Sequence, residues 1–169
     1  MLQTAKSTLI MVGLCLALVA AAFWGWSAAT RPFPGKTDPP KCVSTTVDEG
    51  EKVFPQQVTV SVLNASQING LASVTMRSFT DDSFGEGDTG NAPNDTDVVR
   101  AAIWTSTPDN PDVQLVASRL GPDAQIENRN SGQVGVTVVV GDDFEDDLRK
   151  GKRSVRAMAD TEICSPPVS

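Results

Sequence analysis

The stretch Gln57-Val58-Thr59-Val60-Ser61-Val62-Leu63-Asn64-Ala65-Ser66-Gln67-Ile68-Asn69-Gly70-Leu71-Ala72 decides the fold. Val58, Val60 and Val62 alternate with Thr59 and Ser61, a period of two that predicts a half-buried strand. Asn64 to Gly70 is then too polar and too turn-prone to continue it. A helix is expected to start near Asn69. Leu71, Ala72, Met76 and Phe79 lie on one helical stripe, which ends in Asp81 to Gly85. A strand running into an amphipathic helix is the first half of an α/β unit.

The remaining pieces follow outward from it. Glu86 to Ala92 reads either as a short edge strand or as a loop. Val98 to Thr105 predicts a second strand with Val99, Ala101 and Ile103 on one side. The next helix has clear ends. Asn110 can cap it, Pro111 suits its first position, and Val113, Val116, Ala117 and Leu120 form the apolar stripe. Gly121 and Pro122 stop it. Ala124 to Asn128 gives a weak strand. Val136, Val138 and Val140 mark the last strand, with Val139 on its other face. From Asp142 a final helix is expected, with Asp142, Asp143, Glu145, Asp146 and Asp147 at its start and Arg149 and Lys150 at its end. Glu145–Arg149 and Asp146–Lys150 would then be favourable i,i+4 pairs. The order predicts an α+β fold, a small two-layer α/β sandwich, ferredoxin-like or similar.

Before this domain, Ser7 to Thr30 carries no charge and ends on Trp24 and Trp26 near the outer flank. At ~1.5 Å per residue such a helix spans roughly 36 Å, enough for a ~30 Å hydrocarbon core. Residues 1–30 therefore read as an N-terminal transmembrane anchor, with residues 7–30 in the membrane and the rest outside the cytoplasm. A cleaved signal peptide is the alternative, with Ala20-Ala21-Ala22 or Ala28-Ala29-Thr30 near the cleavage point. Arg31, Lys36 and Lys41 face only Lys6 and the α-amino group across the segment, so the positive-inside rule gives no support. Leu14 stands where a lipoprotein signal needs a small residue, and Cys15 reads as an apolar membrane residue. Residues 31–56, with Pro32, Pro34, Pro39, Pro40 and Pro55, read as a stiff spacer. Residues 57–148 form the domain, and residues 149–169 a basic, then flexible tail tethered by Cys164.

Cys42 and Cys164 are the only cysteines outside the apolar segment, and they flank the domain. In an oxidising compartment they are a natural disulfide pair. Closing a loop of about 120 residues is worth roughly 4–5 kcal/mol by chain entropy. Two cysteines and no histidine cannot complete a zinc site.

The function classes narrow quickly. All 21 acidic residues and 13 of the 14 basic ones follow residue 30. That balance argues against a nucleic-acid partner. Without histidine there is no Ser-His-Asp or Cys-His nucleophile. A hydrolase using paired carboxylates remains, with the acids at 142–147 as its only candidates, against the plainer reading of a solvated helix end. Calcium is poorly served there, because EF-hand spacing is missing. Gly85-Glu86-Gly87-Asp88-Thr89-Gly90 matches a phosphate-loop pattern, yet no helix follows and its two acids repel phosphate. The sequons Asn64-Ala65-Ser66 and Asn94-Asp95-Thr96 matter only in a eukaryotic source. Arg149, Lys150, Lys152, Arg153 and Arg156 are candidates for contact with an anionic wall polymer or lipid headgroups. The alternative is a charged helix end leading into a tail. No catalytic residue, cofactor or metal site is assigned.

Two motifs carry a family resemblance. Val58 to Ser66 followed by Asn69-Gly70-Leu71-Ala72 resembles the opening of the LytR C-terminal domain family. Val136-Thr137-Val138-Val139-Val140-Gly141-Asp142-Asp143-Phe144 is similar to its closing signature. The resemblance covers 57–144. In that family the domain often follows a LytR-CpsA-Psr phosphotransferase domain, which attaches glycopolymers to peptidoglycan. The arginine and aspartate pattern of that catalytic domain is missing here. The resemblance thus implies a non-enzymatic accessory module that supports the envelope by binding those transferases or a wall polymer. A small-ligand or lipid-binding domain is the first alternative, and the carboxylate hydrolase the second.

Overall fold

The computed structural model describes residues 2–29, 40–145 and 148–167. It divides into two units, Met1–Pro39 and Pro40–Ser169. The first contains α1 (Leu2–Ala29), a continuous helix. Its described side chains, Met11 and residues 13–26, are all exposed. Among the described residues no helix is long and apolar enough to cross a membrane. The first part of the expected spacer, residues 31–39, lies outside the described residues.

The second unit is a mixed α+β fold. Its strands are β1 (Val43–Val47), β2 (Lys52–Val53), β3 (Thr59–Asn64), β4 (Gly85–Asn91), β5 (Ala101–Thr105), β6 (Gln125–Asn128), β7 (Val136–Val140), β8 (Val155–Arg156) and β9 (Thr161–Ser165). Helix α2 (Leu71–Asp81) joins β3 to β4, and α3 (Pro111–Leu120) joins β5 to β6. Five strands form one sheet in the order β4-β3-β7-β5-β6. Each helix connects two adjacent parallel strands, β3 with β4 and β5 with β6. Strand β7 lies between these pairs, parallel to β3 and antiparallel to β5. This departs from the ferredoxin-like expectation. That motif splits its βαβ units with an inserted strand, whereas here β3 and β4 are direct neighbours.

One face of the sheet packs against both helices. Val60, Val62, Ile103, Val138 and Val140 share a buried cluster with Met76 and Phe79 of α2 and Val113, Val116 and Leu120 of α3. Phe79 meets Phe84 edge-to-face at 5.4 Å. The opposite face is also covered, so β3 is not half-buried as its alternation predicts. Thr59, Ser61 and Thr137 are fully buried. Ser61 Oγ donates to the Val134 carbonyl at 2.6 Å and accepts from the Asp88 N–H at 2.9 Å. Hydroxyl groups thus tie this face to its loop cover, which is why a polar set can be buried there.

Two glycines of the family-like motifs have physical reasons. Gly70 sits at φ +80° where α2 begins, a region other residues avoid. At Gly141 a Cβ would collide with the Val98 carbonyl oxygen.

Several elements differ from expectation. The second strand starts at Ala101, not Val98, and Val99 is exposed. Its carbonyl accepts from the Asp143 N–H at 2.9 Å instead. No helix starts at Asp142: residues 142–145 form a turn and an irregular stretch. Phe144 is buried, the Asp142 carboxylate accepts from the Gln67 N–H at 2.8 Å, and Arg149 approaches Asp123 at 3.7 Å rather than pairing with Glu145. Dipole and i,i+4 effects are tenths of a kcal/mol, and these tertiary contacts outweigh them. The Asp146–Lys150 pair lies outside the described residues, because Asp146 and Asp147 do.

The largest correction concerns the ends. Residues 43–53 are not only spacer, and the segment after Arg149 is not a flexible tail. Strand β9 pairs antiparallel with β1, matching Thr45 with Ile163, and β8 pairs with β2. Cys42 and Cys164 form a disulfide with Cα atoms 5.4 Å apart, inside the normal range. Val47, Val53, Ala157 and Ile163 join the main core. Their β-strands are short and pair across more than 100 residues, so local periodicity hardly registers them.

In the loop after β3, Asn64 Nδ2 donates to the Ile68 carbonyl at 2.8 Å, and Asn64 Oδ1 accepts from the Ser66 N–H and Oγ at 2.9 and 2.7 Å. Asn69 is exposed and does not cap α2; Gly70 occupies that position. Asn64→Ala should therefore cost about 1–2 kcal/mol. Asn69→Ala should stay within about 0.5 kcal/mol. Urea unfolding of the two variants checks the contrast. Replacing Cys42 and Cys164 together by Ala should cost up to roughly 4–5 kcal/mol, read as a lowered denaturation midpoint.

Candidate functional site

A groove of ≈ 250 Å³ lies at the end of β5, walled by the start of α3, the 129–135 loop and β9. Each wall has a local cause. Strand β5 ends at Thr105, whose Oγ1 accepts the Thr107 N–H at 3.0 Å and turns the chain. Pro111 then opens α3. Asn110 stands at the cap position, but its side chain makes no capping bond. Its Oδ1 accepts from Thr161 Oγ1 at 2.8 Å and its Nδ2 donates to the Glu162 carbonyl at 3.2 Å. The amide expected to cap α3 therefore clips β9 to it.

Three charged side chains line the groove. Asp112, in the first turn of α3, is 7 % exposed. Burial raises its pKa from 3.8 to about 6, opposed by the Val113 and Asp112 backbone N–H groups. The Val113 N–H lies 2.8 Å from Oδ1. Desolvation wins here over the first-turn position that normally favours an acid. Glu162 comes from β9, and its Oε2 accepts from Ser44 Oγ at 2.9 Å. Arg129 is half-buried and lies over the Trp104 ring at 4.0 Å. No ion pair joins Arg129 to either acid among the described residues. Trp104 is 4 % exposed, and its Nε1–H has no hydrogen-bond partner.

The residues singled out by sequence lie elsewhere. Arg149, Lys150 and Lys152 line a separate groove of ≈ 490 Å³ beside Ser118 and Pro122. Arg153 is exposed, and Arg156 Nη1 donates to the Gly50 carbonyl at 2.8 Å. The basic set is therefore split rather than brought together. Asp142 and Asp143 are exposed in their turn, and among the described residues no group of three or more potential metal ligands forms. The Gly85–Gly90 motif lies on edge strand β4, with Asp88 paired to Lys41 at 2.6 Å. A third groove, ≈ 280 Å³, collects the amides of Asn64, Gln67, Asn69, Asn91 and Asn94. The ≈ 250 Å³ and ≈ 280 Å³ grooves are lined mainly by polar groups. Sequence reasoning missed Asp112, because an acid at a helix start looks solvated. It missed Arg129 and Glu162 because both sit in weakly patterned segments.

Comparison with known proteins gives three results. Residues 57–144 match the family model described as LytR cell envelope-related transcriptional attenuator. A crystal structure of the soluble domain of a conserved hypothetical secreted protein from Mycobacterium marinum is similar, with 24 % identity and a TM-score of 0.48. That similarity covers 61 % of this chain and 78 % of that one. No curated protein matches the sequence.

Asp112 generates a pH prediction. Its folded pKa is raised, so the folded state holds its proton longer than the unfolded state. Stability should fall as pH rises from about 4 to about 6, by up to roughly 3 kcal/mol. Asp112→Asn should remove that slope and raise stability at pH 7. Urea titrations at intervals from pH 4 to pH 7 would show it; parallel curves for the two proteins would exclude it.

Proposed function

This chain belongs to the LytR cell envelope-related transcriptional attenuator family, and on that premise we propose that it is a non-enzymatic, membrane-anchored module outside the cytoplasm. It supports envelope integrity by binding a wall-assembly protein or a wall polymer. The family match over 57–144 carries this reading. The uncharged run at 7–30 supports a retained single-pass anchor, and the Cys42–Cys164 disulfide supports an oxidising compartment. The apolar start, the Pro-rich segment after it and the flanking cysteines resemble the actinobacterial envelope integrity protein Cei, and more distantly VirR. LytR-CpsA-Psr transferases are accordingly the protein partners to test first. The polar lining of the ≈ 250 Å³ and ≈ 280 Å³ grooves favours polymer or protein contact over a lipid pocket. The split basic residues leave Arg149, Lys150 and Lys152 as the cationic surface best placed for an anionic polymer.

A deletion strain should become more sensitive to wall-active antibiotics or detergents, and the anchored chain should restore it. Alanine at Asp142, Asp143, Glu145, Asp146 or Asp147 should restore it equally. Loss of rescue by one of these at normal abundance would instead support the carboxylate hydrolase. Full rescue by an exported chain lacking residues 1–30 would show that the anchor serves delivery alone.

A further inference from the structure

We infer that the groove between α3, the 129–135 loop and β9 is a binding site for a small zwitterion, a ligand carrying both an ammonium and a carboxylate, such as a short peptide with free ends. The inference rests on the reading that this domain works by contact in the envelope, and it names what one of its surfaces contacts.

Arg129 supplies the first half. Its guanidinium lies over Trp104 at 4.0 Å, and no ion pair or hydrogen bond holds it among the described residues. The ring contact holds the guanidinium in place, and no protein acceptor takes its N–H groups among the described residues, which leaves them for a carboxylate. Asp112 and Glu162 supply the second half on the same groove. Asp112 is almost fully buried, and only neutral backbone donors, the Val113 N–H and its own, reach its carboxyl. No cation pairs with it among the described residues. A buried carboxyl without a cation is costly to ionise, and a ligand ammonium removes that cost.

The other ligand classes fit less well. A simple anion meets Arg129 but also two acids, and a simple cation meets the reverse. A neutral glycan leaves both kinds of charge unpaired on desolvation. The volume of ≈ 250 Å³ lies below the roughly 300–1,000 Å³ of drug-sized sites, so the ligand is small.

Trp104 also provides the readout. The chain has three tryptophans, so Trp24→Phe with Trp26→Phe leaves Trp104 as the only indole. This full chain in detergent micelles is titrated with D-alanyl-D-alanine, with its N-acetylated form and with its carboxamide. The zwitterion should give a saturable change in emission. Each blocked form should bind about tenfold more weakly or worse, the loss expected for one charge-assisted hydrogen bond. Arg129→Gln should bring the zwitterion down to the carboxamide's level, and Asp112→Asn down to the acetylated form's. Arg129→Lys keeps the charge and should recover part of the loss, which separates charge from a folding defect. Equal binding of the three forms, or no saturable response to any, overturns the inference. So does unchanged binding in Arg129→Gln. An Arg129→Gln chain that neither binds nor discriminates, yet restores the deletion strain, would overturn the groove's role and leave the envelope reading standing. Normal dipeptide binding by a chain whose deletion has no envelope effect would do the opposite.

Discussion

The pairing of β1 with β9, closed by Cys42–Cys164, is the constraint on which the rest of this domain depends. It is a contact between segments separated by 122 residues, so it forms only at a large entropic cost that the disulfide offsets. Its return is more than closure. Val47 and Ile163 enter the main core from this ribbon, and Glu162 and Cys164 become a wall of the groove beside α3. The family match at 57–144 therefore covers the five-stranded sheet and its helices, but not the strand that completes the groove. A truncation to the matched residues would keep the fold's centre and lose that wall.

The sheet shows a second division of labour. Strand β7 is buried at every position from Val136 to Val140. Its helix-facing valines join the main apolar cluster, while Val139 packs with Leu63, Ala102 and Trp104 on the reverse face. That reverse face also buries hydroxyls, and one of them, Thr137 Oγ1, meets Ser131 Oγ at 2.6 Å. Hydroxyl-to-loop contacts bring the 129–135 loop down onto the sheet. Arg129 then lies over Trp104 at one end of this cover. Polar burial on the reverse face and the position of the groove's cation are thus one feature.

The elements legible in the sequence were those stabilised locally. Val58 to Leu63, the stripe Leu71–Phe79 and the Pro111–Leu120 helix follow from periodicity and stop signals, and each appears within a residue or two. Where tertiary contacts overrule local preference, the reading fails. The acidic segment from Asp142 has good helical electrostatics, yet Phe144 burial and the bonds to Val99 and Gln67 hold it in a turn. Strands β8 and β9 contain too few apolar residues to register, because their partners lie at the other end of the chain. The site was least legible of all. Its residues come from α3, a loop and β9, and nothing in their spacing announces that they converge.

Asp112 shows why such a residue carries more information in the structure than in the sequence. In sequence it is one acid among 21, in the position where a helix welcomes negative charge. In the fold it is buried on the groove with the Val113 N–H at its carboxylate, and desolvation pushes its pKa up to about 6. A neutral residue of the same shape would remove that destabilisation at neutral pH, since the Val113 N–H needs only an acceptor. Among the described residues no ion pair joins this buried acid to Arg129 on the same groove, and folding alone explains such a charge poorly. Stability is commonly sacrificed where a surface must bind something. Asp112 and Arg129 line one groove with no ion pair between them among the described residues, which leaves both charges to an incoming ligand.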